Sequence, residues 1–446
     1  MEDKVFNYIR EYNMIEDNDT VLVGLSGGAD SVCLFTVLLN LSKRIGFKLG
    51  CVHLNHMIRG SEAERDAQYC EYICKKHDIP FEIVKEDVPK LAKSWHMSEE
   101  EAGRKARYDT FYRMAKEYGA TKIAVAHHMN DRAETVLYNL FRGSGVRGLS
   151  GIKPVNGMII RPLLCVNRQE IEHYLKDNKI LYMTDSTNET EDYMRNRIRN
   201  RVLPYAVMNI NENSIENINQ AARLCNAAES YISKEAEKSF EKCVNVNEKT
   251  YEIDIEEFSQ LDYIIKTYIV RNVLERIYTS LKDISMNHID SVVSLADMQV
   301  SKKISLPKGI IARRDYDKLV LCGQYEKPSG EIKKPPQYQI EKILWESGRE
   351  IPKNDYTKYF DYDKIKSNLV QRYRKPGDYL VVDAKGSKKK LKDYFIDEKI
   401  PSMLRDSIPV FADGNHIMWV VGYRISEEYK VSDTTKNVLK ITVDCE

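Results

Sequence analysis

Along the first 150 residues, short apolar runs alternate with longer stretches in which apolar positions recur every three or four residues. Residues 20–25 (TVLVGL) read as a buried strand and Ala29 to Leu41 as a helix. The pattern then repeats. A strand runs from Phe47 to Leu54, a helix from Glu62 to His77, and a third strand (FEIVKED) begins at Phe81. Ser98-Glu-Glu-Glu101 is a capping box that opens a helix towards Tyr118. TKIAVAHH from Thr121 reads as a fourth strand, followed by a helix from Arg132 to Arg142. Strands separated by helices imply βαβ crossovers, hence an α/β fold with a mostly parallel, doubly wound sheet covered on both faces. Ligands of such sheets bind at the carboxyl ends of the strands, which predicts a site just after Leu25, Leu54 and Ala126.

Further along, the periodicity changes. Ser214 to Glu241 is long and helical, 254–300 stays helical, and 301–323 contains short strands. EKPSGEIKKPP, at 326–336, has the composition of a linker. The last hundred residues, with LVQRYR, DYLVV, IPVF and IMWVVGYRI, read as a small β-rich module. The expected organisation is an α/β domain over 1–210, a connecting helix and helical module over 211–330, and a small C-terminal α+β module over 331–446. A chain of 446 residues has room for roughly three such domains.

Charged residues make up 30% and mean hydropathy is −0.50, with no run near the ~18 apolar residues of a membrane helix. The charged N-terminus lacks the features of a signal peptide, so a cytoplasmic protein without membrane helices is expected. Nine scattered cysteines with no Cys-x-x-Cys pair point to reduced thiols rather than a disulfide framework or a metal site. Net charge is only +1, so any nucleic-acid site must be a local patch.

The strongest chemical signal is Val23-Gly-Leu-Ser-Gly-Gly-Ala-Asp-Ser31, a strand, a Gly-rich turn and a helix start. Gly27 and Gly28 let backbone N–H groups approach an anion, the helix start at Ala29 adds positive dipole, and Ser26 and Ser31 add hydroxyl donors. Asp30 suits a Mg²⁺ ligand better than a phosphate contact. The Walker sequence is absent, which excludes a P-loop NTPase. Gly143-Ser-Gly-Val-Arg-Gly148 satisfies G-x-G-x-x-G in form only, because a helix rather than a strand precedes it.

The Ser26–Ser31 loop resembles the pyrophosphate (PP) loop of N-type ATP pyrophosphatases, whose adenine nucleotide α-hydrolase-like fold splits ATP between the α and β phosphates. Several further motifs narrow the resemblance to the tRNA(Ile)-lysidine synthetase family. They are His53-Leu-Asn-His-Met-Ile-Arg59, Glu101-Ala-Gly-Arg-Lys-Ala-Arg107-Tyr108, His127-His-Met-Asn-Asp131-Arg-Ala-Glu134, Asp185-Ser-Thr-Asn188 and Arg195-Asn-Arg-Ile-Arg199. In the last module, Arg374-Lys-Pro-Gly-Asp378 and Lys389-Lys-Leu-Lys-Asp393 through Pro401 join them. The likeness covers nearly the whole chain and is weakest between about 240 and 340.

That resemblance implies ATP and Mg²⁺ as cofactors and two substrates, a tRNA(Ile) with a CAU anticodon and free L-lysine. The wobble cytidine would be adenylated on its C2 oxygen, and the lysine ε-amine would then displace AMP. It places nucleotide contacts at Ser26 to Ser31, His53 and Asn55. The amino acid would lie among Arg107, His127, Asp131 and Glu134: an α-carboxylate for Arg107, ammonium groups for the two acids, and a carboxylate or His127 to accept a proton. Arg195 and Arg199, with Lys388, Lys389, Lys390 and Lys392, are the candidate tRNA contacts. Residues 371–405 carry ten Lys or Arg against five Asp or Glu, a local excess in a nearly neutral chain. The oligomeric state stays open, a homodimer included. Two rivals remain. A PP-loop tRNA thiolase would commonly need cysteine pairs that the chain lacks, and a noncatalytic nucleotide- or RNA-binding module would not need the acids and Arg107 beside the loop.

Overall fold

The computed structural model describes every residue except 59, 184–193, 248–249, 279–280, 282, 324–334, 346–350, 353, 402–403 and 445–446. Arg59, the Asp185–Asn188 motif and most of the 326–336 stretch therefore lie outside the described residues. The chain divides into two units, Met1–Tyr231 and Ile232–Glu446.

In the first unit the alternation becomes α1 (Glu2–Glu11), β1 (Thr20–Gly24), α2 (Ala29–Ile45), β2 (Lys48–Asn55), α3 (Ser61–Lys76) and β3 (Phe81–Lys85). Next come α4 (Val88–Trp95), α5 (Glu99–Tyr118), β4 (Lys122–Ala124), α6 (Met129–Phe141), α7 (Val146–Leu149), β5 (Val155–Asn156), β6 (Ile159–Ile160) and α8 (Arg168–Asp177). The sheet order is β3-β2-β1-β4-β6-β5. All pairs are parallel except the β5–β6 edge hairpin, and Val23 lies opposite both Cys51 and Ala124. Val21 and Val23 bury into one apolar cluster with α1, α2 and α8, while Leu22 buries into a second with Phe111 and Met114 of α5. Both faces are covered, as continuous apolar strands require. Strand order reverses at β1, which makes the space beyond β1 and β4 the crevice of the sheet.

Two local boundaries differ from expectation. FEIVKED stops as a strand at Lys85 because the Asp87 side chain accepts the Lys90 N–H and starts α4, a helix not foreseen. TKIAVAHH pairs only over Lys122–Ala124, and the next helix starts at Met129 rather than Arg132. There the His128 ring accepts the Asn130 N–H and the Asp131 carboxylate accepts the His128 N–H, which closes a capping box. After α8 the described chain resumes with α9 (Met194–Arg197), a π-helical turn over Ile198–Val202, α10 (Leu203–Asn209) and α11 (Ser214–Cys243).

The second unit holds β7 (Val244–Asn247), β8 (Thr250–Asp254), α12 (Ile255–Ser259), α13 (Tyr263–Ile277), α14 (Met286–Leu295), β9 (Lys303–Ser305), β10 (Ile311–Arg314) and β11 (Lys318–Cys322). The helices expected over 254–300 are present, but β7 and β8 extend a sheet of order β7-β8-β11-β10-β9. Polar residues on one face of TYEID hide that strand from a search for apolar runs. The last segment contains β12 (Tyr338–Leu344), β13 (Thr357–Asp361), β14 (Leu369–Arg372), β15 (Tyr379–Val381), β16 (Lys388–Lys390), α15 (Leu391–Asp397), β17 (Val410–Asp413), β18 (His416–Val420) and β19 (Asn437–Val443). They form a three-stranded sheet, β12-β19-β13, and a five-stranded one, β14-β17-β18-β15-β16. Trp419 stacks on Phe411 at the centre of their shared core. No helix among the described residues is long and apolar enough to cross a membrane.

Candidate active site

The Gly-rich turn is held by its own serines. Ser31 Oγ accepts the Ser26 N–H at 3.1 Å, lies 3.0 Å from Ser26 Oγ and donates to the Gly28 carbonyl at 3.0 Å. Gly27 has φ +90°, and a Cβ there would meet Cys70 Sγ at 3.4 Å and the Asp66 carbonyl at 3.5 Å. A side chain at that position would be strained as well as crowded. Gly28 is the N-cap of α2 and supplies no side-chain cap, so the first N–H groups of a 17-residue helix stay open to an anion. Behind the turn, the Leu25 N–H donates to the Val52 carbonyl at 2.9 Å and His53 Nδ1 lies 2.9 Å from the Leu25 carbonyl.

In front of the turn is a cavity of about 560 Å³ whose wall includes Ser26, Asp30, His53, Asn55, Arg107, His127 and Asp131. The segments after β1, β2 and β4 meet there, as the strand pattern predicts. Asn55 accepts the Met57 N–H and donates to Glu64, so it shapes the β2 exit as well as lining the wall. Arg107 forms no ion pair with a described residue. Burial, reinforced by Arg104, draws its pKa below the usual value, yet a guanidinium keeps its proton. It lines the cavity, where it presents a positive charge that no described acid pairs with.

At the far side of the wall the acids are already engaged. Arg199 reaches Glu134 with Nε at 2.6 Å and Nη2 at 2.9 Å, and the same Nη2 lies 3.1 Å from Asp131. Glu134 is 1% exposed and does not line the cavity, whereas Asp131 does. Burial pushes the Glu134 carboxyl up and Arg199 pulls it down; two short bonds to one guanidinium are the geometry of an ionised carboxylate. Burial alone would raise Asp131 too, but His128, His127, the His128 N–H and Arg199 hold it below the ordinary range. His127 is lowered to about 4 by burial, with Arg161, Arg104 and Arg107 opposing the pull of Asp131, so its imidazole is neutral near pH 7. Its buried Nδ1 has no hydrogen-bond partner among the described residues.

Two neighbours were not singled out from sequence. His128, 5% exposed, places Nε2 3.7 Å from Asp30 and 3.5 Å from Asp131, bridging the loop and the acids. Arg168 bonds Asp30 Oδ1 at 2.6 Å and Glu172 at 2.7 Å. Asn167-Arg-Gln-Glu170, itself a capping box, was the available signal for Arg168. Of the remaining candidates, Arg199 bonds the acids while 39% of its side chain stays exposed, and Arg195 lies 3.7 Å from Glu100 and near the Tyr138 ring. In the other unit, Lys389 bonds Asp397, Lys388 sits 4.9 Å from the centre of the Tyr379 ring, and Lys390 and Lys392 border a second cavity. Among the described residues, no group of three or more His, Cys, Asp or Glu side chains is arranged to hold a metal ion.

Comparison with known proteins agrees with this geometry. A PP-loop domain matches residues 1–206 and a TilS substrate C-terminal domain matches 369–442. The tRNA(Ile)-lysidine synthase of Caldanaerobacter subterraneus subsp. tengcongensis is 41% identical over 99% of this chain and 97% of its own length. The chain belongs to the tRNA(Ile)-lysidine synthase family. The Clostridium tetani tRNA(Ile)-lysidine synthase is 38% identical, covering 100% of this chain and 99% of its own. A solved U34-tRNA thiolase from Methanococcus maripaludis covers 50% of this chain and 77% of its own, with 20% identity and a TM-score of 0.42. Membership in the tRNA(Ile)-lysidine synthase family makes this a ligase-type enzyme with an ATP-binding PP-loop domain.

Proposed function

We propose that the chain ligates free lysine to C2 of the wobble cytidine of a CAU-anticodon tRNA(Ile). The cytidine C2 oxygen attacks the α-phosphorus of ATP and releases pyrophosphate. The lysine ε-amine then attacks C2, AMP leaves with the former C2 oxygen, and the amine gives up a proton. The observation that carries this reading is a single cavity joining an anion-ready helix start to an unpaired arginine and a carboxylate. Two reactants held in one enclosure make alignment the main contribution to rate.

Ser26 to Ser31 take the phosphates, and Arg107 faces the lysine α-carboxylate. Asp131 is the acid that meets an ammonium, and Glu134 supports it through Arg199. His127, neutral and bordering the same space, is a candidate acceptor for the departing proton. Asp30 would hold Mg²⁺ through one carboxylate, since Arg168 occupies its Oδ1 and no further cluster of ligands is present among the described residues. That donor set fits an ion carried mainly by nucleotide phosphates, which would supply positive charge beside the pyrophosphate. Arg195 and two of the C-terminal lysines, Lys390 and Lys392, would contact tRNA in the cytoplasm, where ATP, lysine and tRNA meet, while Lys388 and Lys389 are engaged within the protein. The division at 1–210, 211–330 and 331–446 is supported by separate apolar clusters around Leu34, Phe258 and Trp419. Mass spectrometry of nucleosides from a CAU-anticodon tRNA(Ile) transcript incubated with protein, ATP, Mg²⁺ and lysine tests the reading. Lysidine is expected; unmodified cytidine, or a thiolated base when a sulfur donor is added, would overturn it.

A further inference from the structure

The second unit holds another cavity, of about 550 Å³, between the Arg374–Asp378 turn and the start of α15. Four cationic residues border it, Arg374, Lys375, Lys390 and Lys392, with two acids, Asp378 and Asp406. Both acids are already neutralised. Arg372 grips Asp378 through two bonds of 2.7 and 2.8 Å, and Arg374 Nε bonds Asp406 at 2.6 Å. Lys375, Lys390 and Lys392 form no ion pair with a described residue. Three positive charges thus border one concavity with no described residue paired to them.

The turn that carries Lys375 is rigid. The Asp378 N–H donates to the Lys375 carbonyl, the Lys375 N–H donates to Asp378 Oδ2 at 2.7 Å, and Gly377 takes φ +92° after Pro376. This is the arrangement of a Pro-Gly type II turn, pinned here by a buried carboxylate. The adjacent lysines of the same basic run are used differently, Lys389 on Asp397 and Lys388 on the Tyr379 ring. The structure therefore divides a charge cluster that looks uniform in sequence.

We propose that this cavity is a phosphate pocket for RNA, in which Lys375, Lys390 and Lys392 surround one phosphate group. The inference rests on the tRNA reading above and narrows it. A lysine ammonium is a compact point charge suited to phosphate, and a concave site takes a protruding group rather than the flat side of a duplex. The phosphate is either a chain-terminal monoester or a backbone diester. Full-length protein and the CAU-anticodon transcript serve as the test, with affinity measured across a salt series. The Lys375→Ala/Lys390→Ala/Lys392→Ala variant should lose about tenfold in affinity or more and flatten the salt slope by roughly 0.7 to 0.9, the signature of one lost phosphate contact. Lys388→Ala/Lys389→Ala should change affinity less than about threefold, and Lys→Arg replacements at the three pocket positions should restore most of the binding. If the triple variant's loss vanishes with a 5′-hydroxyl transcript, the phosphate is terminal; if it persists, the phosphate is internal. Wild-type affinity in the triple variant, an equal loss in the control pair, or a slope change near three contacts would each overturn the pocket. ATP binding and thermal melting, run in parallel, check that the variants fold. Wild-type protein that makes lysidine beside a normally binding triple variant refutes the pocket alone. Wild-type protein that makes none refutes the functional reading.

Discussion

At the scale of single residues, Asp30 joins the phosphate loop to the rest of the cavity through Arg168 and His128. Asp30→Ala should abolish pyrophosphate release, because it removes the carboxylate proposed to anchor the ion that would balance charge on the leaving group. Glu134→Ala and Arg107→Ala should instead raise the lysine concentration needed for turnover while ATP binding persists. Measuring ATP affinity and lysine dependence separately checks both halves, and loss of ATP binding with normal lysine dependence would reverse the assignment. His127 makes a pH prediction. Its folded pKa, about 4, lies below the unfolded value near 6.5, so between those values the unfolded chain binds the extra proton. Stability from this group is fully present above about pH 6.5 and is lost as pH falls towards 4, by at most about 3 kcal/mol. Denaturant melts of wild type and His127→Gln should converge as pH drops through that window. A parallel pH dependence in the two proteins would contradict it.

At the scale of elements, α6 shows how a helix start doubles as a site. The capping box of His128 and Asp131 fixes where the strand ends and aims Asp131 at the cavity. Ser98-Glu-Glu-Glu101 was legible because Ser and Glu are common at those cap positions, and the structure has that box. His128 was not, since histidine is an uncommon cap and only the packed ring shows what it accepts. His128→Ala should cost about 1 kcal/mol of stability as a lost cap. Because the same change removes the ring that lies between Asp131 and Asp30, it should also weaken lysine use, which His128→Asn, a cap-competent residue, should restore in part. Equal stability of wild type and His128→Ala in urea titrations would rule the cap out.

At the scale of the molecule, one chain combines the cavity proposed for ATP and lysine with a second unit that carries concentrated positive charge. The expected overall chemistry is AMP and pyrophosphate in equal amounts, dependent on tRNA, with lysine required for the final adduct. Quantifying nucleotide products by chromatography checks it; ADP and inorganic phosphate as main products would contradict the PP-loop reading.

Sequence alone determined the parallel sheet, the phosphate turn and the three segments that converge on the cavity, because strand periodicity, helix caps and glycine conformation are local properties. It also picked out Ser26, Asp30, His53, Asn55, His127 and Asp131 of the wall, whose motifs follow strands, and Arg107, which lies on α5. Tertiary structure decided which charges are spoken for. Arg199, 65 residues from Glu134, turns out to neutralise the acids, and Arg168, 138 residues from Asp30, turns out to hold the loop carboxylate. Pairing across such distances depends on how helices pack against the sheet, and no spacing rule along the chain encodes it. The same holds for the basic run near the C-terminus, where only folded contacts separate the lysines bound to protein from those bordering an open cavity.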